Sequence, residues 1–163
     1  MFNTGTDLST SMRIIICGSM SCFNSMSCVK QDLVEAGVNA FIPASDEELR
    51  AKVTIDAFEV LKRKVSFSYL NKIRDPRTFG VLAVNPEKYS ISNYIGPNTF
   101  AEIAVAFAHQ KKIFLYYGMP DVYVDELKAW RAMPLNGDIT PLVKSYYDAV
   151  NAEGRQTGHP SQK

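Results

Sequence analysis

Two short stretches of this 163-residue chain carry side chains of the kind that do chemistry. The first is "GPNTFAEIAVAFA" at 96–108, where Glu102 is the one acid in an apolar run. Thr99 and Glu102 have the T-x-x-E spacing of a capping box, in which each side chain accepts from the other's backbone N–H. The helix dipole would favour an ionised carboxylate there. In a dry pocket beside a Gly-Pro loop, such a carboxylate is equipped to act as a nucleophile. At the anomeric carbon of a sugar it would attack, or stabilise an oxocarbenium ion, as glycosidase carboxylates do. The second stretch is "CGSMS" at 17–21. Glycine after a strand, then serines, then a helix, exposes backbone N–H groups to a phosphate or carboxylate. It is neither a P-loop nor a full GxGxxG. Ser21 would serve equally as an N-cap. Pattern alone leaves both readings of each stretch open.

The elements that must position these residues alternate. "RIIIC" (13–17) is a short β-branched strand, followed by a helical stretch from about Cys22 to Ala36 that Gly37 ends as a C-cap glycine would. "VNAFIP" (38–43) is a second strand, stopped by Pro43. Ser45 and Glu48 open a long helical region reaching about Arg74, with a break expected near Ser66. "FGVLAVN" (79–85) is a third strand, leading through a Pro-, Ser-, Asn- and Gly-containing loop to a helix at 99–110. "KIFLYY" (112–117), a helix at 121–132, a short strand "MPLN" and a final helix from Asp138 to Asn151 complete the order. Pro141 fits that helix only in its first turn, and Asp138 is the expected N-cap. Alternating strands and helices give a flavodoxin-like α/β domain: a doubly wound parallel sheet of about five strands with helices on both faces. The domain spans 12–151, with 1–11 and 152–163 as flexible tails. Ligands in such folds bind beyond the carboxyl ends of the strands. That places Asn85, Gly96, Asn98, Phe100 and Asn136 beside the two stretches as candidate binding residues.

Composition narrows the class. Apolar residues make up 46% and charged residues 21%, with a formal net charge of +1. "LKRKV" at 61–65 is the densest cationic stretch and reads as a solvated helix face, so no nucleic-acid partner is expected. No apolar run approaches the roughly 18 residues of a membrane helix, and the N-terminus lacks a secretory core, which gives a cytoplasmic expectation. Cys17, Cys22 and Cys28 are odd in number and have no zinc spacing, and the histidines are His109 and His159. Neither a metal nor another cofactor is therefore expected. Cys17 reads as a small buried residue. Tyr89, Tyr94, Phe100, Phe23 and Tyr69 are aromatics that could stack on a base, Trp130 reads as packing, and His109 as a partner of a helix C-terminus.

Together, "IIICGSM", "FGVLAVN", "IGPNTFAEIAVAFAHQKKIFLYY" and "MPLNGDI" resemble the nucleoside 2-deoxyribosyltransferase-like superfamily, over roughly residues 13–140. The resemblance is to its small bacterial members, related to 2'-deoxynucleoside 5'-phosphate hydrolases. It implies that Glu102 is a nucleophile forming a covalent glycosyl intermediate. It places a phosphate at Gly18 and Ser19; Met20, Ser21, Thr99 and the loop residues named above are further substrate-binding candidates. It implies a nucleoside or nucleoside 5'-monophosphate as ligand, and a homodimer or larger homo-oligomer. The chain departs from the family where "RIIIC" lacks a tyrosine, where Gly80 stands near the place of an aspartate, and where Gly96 and Pro97 replace a loop aspartate. Asp75 lies five residues before Gly80. These departures keep hydrolysis, base transfer and a purely nucleotide-binding role in play. "GPNTFAE" also shares its T-x-x-E logic with lysine-decarboxylase-like phosphoribohydrolases, without their paired glycines.

Overall fold

The computed structural model describes residues 12–44, 51 and 54–156. Five strands are described: β1 (Arg13–Gly18), β2 (Ala40–Phe41), β3 (Thr78–Val84), β4 (Lys112–Leu115) and β5 (Met133–Pro134). Five helices accompany them: α1 (Phe23–Glu35), α2 (Ile55–Arg74), α3 (Pro97–Ala108), α4 (Val124–Ala129) and α5 (Thr140–Gln156). A single 3-10 turn, Met20–Cys22, leads from β1 into α1. Every strand pair is parallel, in the order β2-β1-β3-β4-β5. This is the doubly wound, flavodoxin-like arrangement, whose order reverses between β1 and β3.

Strand alternation divides the core into two layers. Ile14, Ile16, Leu82, Val84 and Phe114 face α1 and α5. Ile15, Cys17, Val81, Ala83, Ile113 and Leu115 face α2, α3 and α4. The central strands are apolar on both faces because helices cover both. α1 ends in a Schellman motif: Val38 N–H donates to the Leu33 carbonyl and Gly37 N–H to that of Val34, with Gly37 at φ 78°.

The described part of α2 runs unbroken through Ser66, so the expected break does not occur. The Ser45–Glu48 capping signal lies outside the described residues, as do 1–11 and 157–163 of the expected tails. α5 continues to Gln156, past the expected boundary, because nothing between 152 and 156 interrupts a helix except Gly154, which is tolerated in an exposed last turn. No helix among the described residues is long and apolar enough to cross a membrane.

Asp75 marks the amino-terminal edge of the sheet. It pairs with Arg13 at 3.0 Å and Arg77 at 2.8 Å, and hydrogen bonds from Arg77 hold its carboxyl well below the usual range. Arg13 begins β1 and Cys17 lies four residues further along it, about 13 Å at strand rise. Asp75 therefore serves the opposite edge of the sheet from Cys17.

Candidate active site

α3 starts earlier than the T-x-x-E pattern predicts. Gly96 is its N-cap and Pro97 occupies the first turn, where the fixed proline φ suits a helix start and no N–H is needed. Thr99 is thereby carried inside the helix, and the cap has no side-chain hydrogen bond. The capping box that the T-x-x-E spacing allows does not form. Its spacing does something else: Thr99, Glu102, Ile103 and Ala106 follow the i, i+3, i+4, i+7 pattern of one helix face. Thr99, Ile103 and Ala106 are buried, so Glu102 is carried against the sheet. α3 is buried along this stripe and not all round, since Phe107 remains 46% exposed.

Glu102 meets Cys17, the fully buried penultimate residue of β1. Burial raises the Glu102 carboxyl from 4.5 to about 7, while a hydrogen bond with Cys17 pulls the other way. The helix dipole does not keep the group ionised as expected. Glu102 is the sixth residue of α3, beyond the first turn where that field acts. Burial, and secondarily the charge of Glu102, pushes the Cys17 thiol well above its ordinary range. Tyr69 of α2 is the third member of the cluster. Burial foremost, then the nearby Cys17 and Glu102, raises its phenol well above the usual value. Its hydroxyl donates to the Ile16 carbonyl, which fixes α2 against the end of β1.

The second cluster forms at the carboxyl end of β1. Gly18 belongs to the strand, and a Cβ there would come within 2.9 Å of the Met26 sulfur and 3.1 Å of the Val84 carbonyl. Its lack of a side chain thus serves packing. Met20 packs against the layer beneath α1. Ser21 is not the N-cap of α1, a place taken by Cys22 without a side-chain hydrogen bond. The serine hydroxyls instead meet each other, with Ser19 Oγ and Ser21 Oγ 3.0 Å apart. Lys88 Nζ donates to Ser19 Oγ at 2.7 Å. The ammonium sits 4.9 Å from the centre of the Tyr89 ring and 5.6 Å from that of Tyr94. The two rings meet edge to face. The sequence reading missed Lys88. Its only signal is a cation in the loop after β3, and nothing local connects that loop to Ser19.

That loop is held in shape by asparagines. Asn85, 1% exposed, donates to the carbonyls of Gly118 at 2.9 Å and Asn93 at 3.3 Å, and accepts from Tyr117 N–H at 3.1 Å. Its amide is spent on backbone, so it positions the loops and has no hydrogen left for a ligand. Asn93 likewise accepts from Gly118 N–H and donates to the Met119 carbonyl. Unusual backbone angles fall at Tyr89 (φ 55°), Ser90 (φ 58°) and Asn93 (φ 54°), not at Gly96.

The remaining predicted residues separate. Asn98 is an exposed residue in the first turn of α3. Asn136 turns the chain after β5 at φ 51°, its N–H donating to the Tyr117 carbonyl. Phe100 stacks on Tyr123 with ring centres 4.0 Å apart and on Trp130 at 5.3 Å, which engages its faces within the protein. Phe23 packs under the sheet with α1. His109 is the C-cap residue of α3. Asp138 accepts from Thr140 N–H at 2.9 Å and so holds the entry to α5, but it lies one position before the N-cap, the place expected of it, which Ile139 occupies. Among the described residues no group of three His, Cys, Asp or Glu side chains could hold a metal ion. A cavity of about 380 Å³ lies beside α2, lined by Ile42, Ala44, Lys64, Val65, Ser68, Tyr69 and Lys72. Tyr69 alone links it to the Glu102 cluster.

A carboxyl poised near neutrality and a lysine–serine pole therefore stand at the same strand end. Cys17 and Ser19, which mark them, are two residues apart, about 7 Å at strand rise. Comparison with family models, with curated proteins and with solved structures gives no match for this chain.

Proposed function

We propose that the protein cleaves the N-glycosidic bond of a nucleoside or nucleoside 5'-monophosphate, with Glu102 as nucleophile. The observation that carries this reading is the release of Glu102 from any capping role: α3 is capped by Gly96, and the carboxyl is turned against the end of β1. Among the described residues no cation pairs with this carboxyl. In the reaction, a carboxylate oxygen of Glu102 bonds to C1' of the sugar. The C1'–N bond breaks, and the base leaves with the bonding pair and takes up a proton. Water then attacks C1', frees the carboxylate and completes hydrolysis. A second base attacking in place of water gives transfer. Ser19, Ser21 and Lys88 supply hydroxyls and a cation for a 5'-phosphate, which favours the monophosphate over the free nucleoside. Tyr89, 73% exposed at the tip of the loop, offers a face for a base. We place the enzyme among homo-oligomers on the family resemblance alone.

The test is to incubate the protein and its Glu102→Ala variant with a panel of nucleosides and 5'-monophosphates, with and without a second base. Base release is followed by chromatography. Release lost in the variant supports the reading. No release from any substrate, together with thermal stabilisation by one of them, replaces it with a nucleotide-binding module.

A further inference from the structure

We infer that the cavity beside α2 is a ligand site of its own, built for a small phosphate monoester with an apolar body. The inference does not rest on the glycosidase reading. The cavity, about 380 Å³, lies between α2 and the chain that leaves the carboxyl end of β2. Its size is at the lower end for small-molecule pockets, with room for a phosphate and a single ring. Doubly wound sheets take ligands beyond the carboxyl ends of their strands.

The polar groups share one face of α2. Lys64, Ser68 and Lys72 all line the cavity at four-residue intervals, about 6 Å of helix rise per step. Among the described residues neither lysine is in an ion pair, and no carboxylate is in the lining. Lys72 is steadied by aromatic rings: its Nζ lies 5.9 Å from the centre of the Phe41 ring and 6.0 Å from that of Tyr69. Its structural duty falls to its carbonyl, which accepts from Thr78 Oγ1 and from the Arg13 guanidinium. The ammonium is left to serve a ligand.

The class of ligand follows from these groups. Lysines are point charges with rotating donors and lack the planar fork that suits a carboxylate. Two of them, with a hydroxyl between, match a tetrahedral dianion offering three acceptor oxygens. Ile42, Ala44, Val65 and Tyr69 complete the lining. The Tyr69 hydroxyl is spent on the Ile16 carbonyl. These side chains therefore offer apolar contact and no partner for sugar hydroxyls, so the body of the ligand is an aryl or alkyl group. That separates this site from the lysine–serine pole at the end of β1.

The test uses phenyl phosphate and a neutral counterpart, benzyl alcohol, followed through the methyl NMR signals of Ile42, Ala44 and Val65. Phenyl phosphate should move these signals saturably, and benzyl alcohol should bind about tenfold or more weakly. Lys64→Met and Lys72→Met keep the stems and remove the charges. Each should weaken phenyl phosphate by about tenfold, whereas Lys88→Met should leave these shifts unchanged. Equal binding of the two probes to wild type would reduce the cavity to an apolar hollow, a comparison that needs no variant. Signals that stay in place with phenyl phosphate, or that move as readily in both lysine variants, would overturn the site. Shifts lost in Lys88→Met alone would assign the phosphate to the Ser19 pole instead.

Discussion

Lys88 Nζ lies 2.7 Å from Ser19 Oγ, joining the loop after β3 to the turn after β1 across 69 residues of chain. The contact puts a cation where the strand order reverses. Lys88→Met keeps most of the stem and removes the charge. It should weaken binding of a 5'-monophosphate by about 10- to 100-fold, the worth of one or two charge-assisted hydrogen bonds. The matching nucleoside should bind unchanged. Calorimetric titration of both ligands checks this, and equal weakening of both would remove Lys88 from phosphate recognition.

The Glu102 carboxyl should destabilise the fold above neutral pH. Its folded value of about 7 lies above the ordinary 4.5. The folded state therefore holds the proton more tightly, and this stabilisation is full below about pH 4.5 and lost as pH rises through 7. Glu102→Gln should raise stability at pH 8 by up to about 3 kcal/mol, relative to its effect at pH 4. Urea denaturation of both proteins at the two pH values measures the difference. A pH-independent difference would mean that the carboxyl is not desolvated.

A nucleophile must be ionised. The rate constant kcat/KM should therefore rise about tenfold per pH unit on the acid side and level off above about pH 7, the Glu102 midpoint. A rate that falls through the same midpoint would assign Glu102 the opposite task, giving a proton to the departing base.

Asn85→Ala strips two donors and one acceptor from the latch that joins the ends of β3 and β4 to the Lys88 loop. The partners left behind are buried or half-buried backbone groups, so the loss should cost about 2–4 kcal/mol of folding stability. Thermal or chemical denaturation tests this. A variant of unchanged stability that fails only in ligand binding would return Asn85 to the role of a ligand contact.

What the sequence made legible follows from range. "RIIIC" and "FGVLAV" announce buried parallel strands because their pattern is local, and Gly37 announces the end of α1 for the same reason. Glu102 was visible as the only acid in its segment. T-x-x-E spacing leaves its capping role open, because Pro97 draws the helix start forward, a competition that the spacing does not express. Lys88 was invisible because its partner is distant in the chain. The left-handed angle at Tyr89 falls on a residue that carries no turn signal. Cys17 was read correctly as buried, but the acid it meets comes from another element.

The two outermost strands, β2 and β5, are each two residues long, and proline sits at both. Pro134 lies within β5 and has no N–H to offer a neighbour; Pro43 follows β2 by two positions. Such borders give an incoming strand almost nothing to pair with. Among the described residues the folded sheet offers little edge for strand addition, so a second intact copy would meet it through helices and loops.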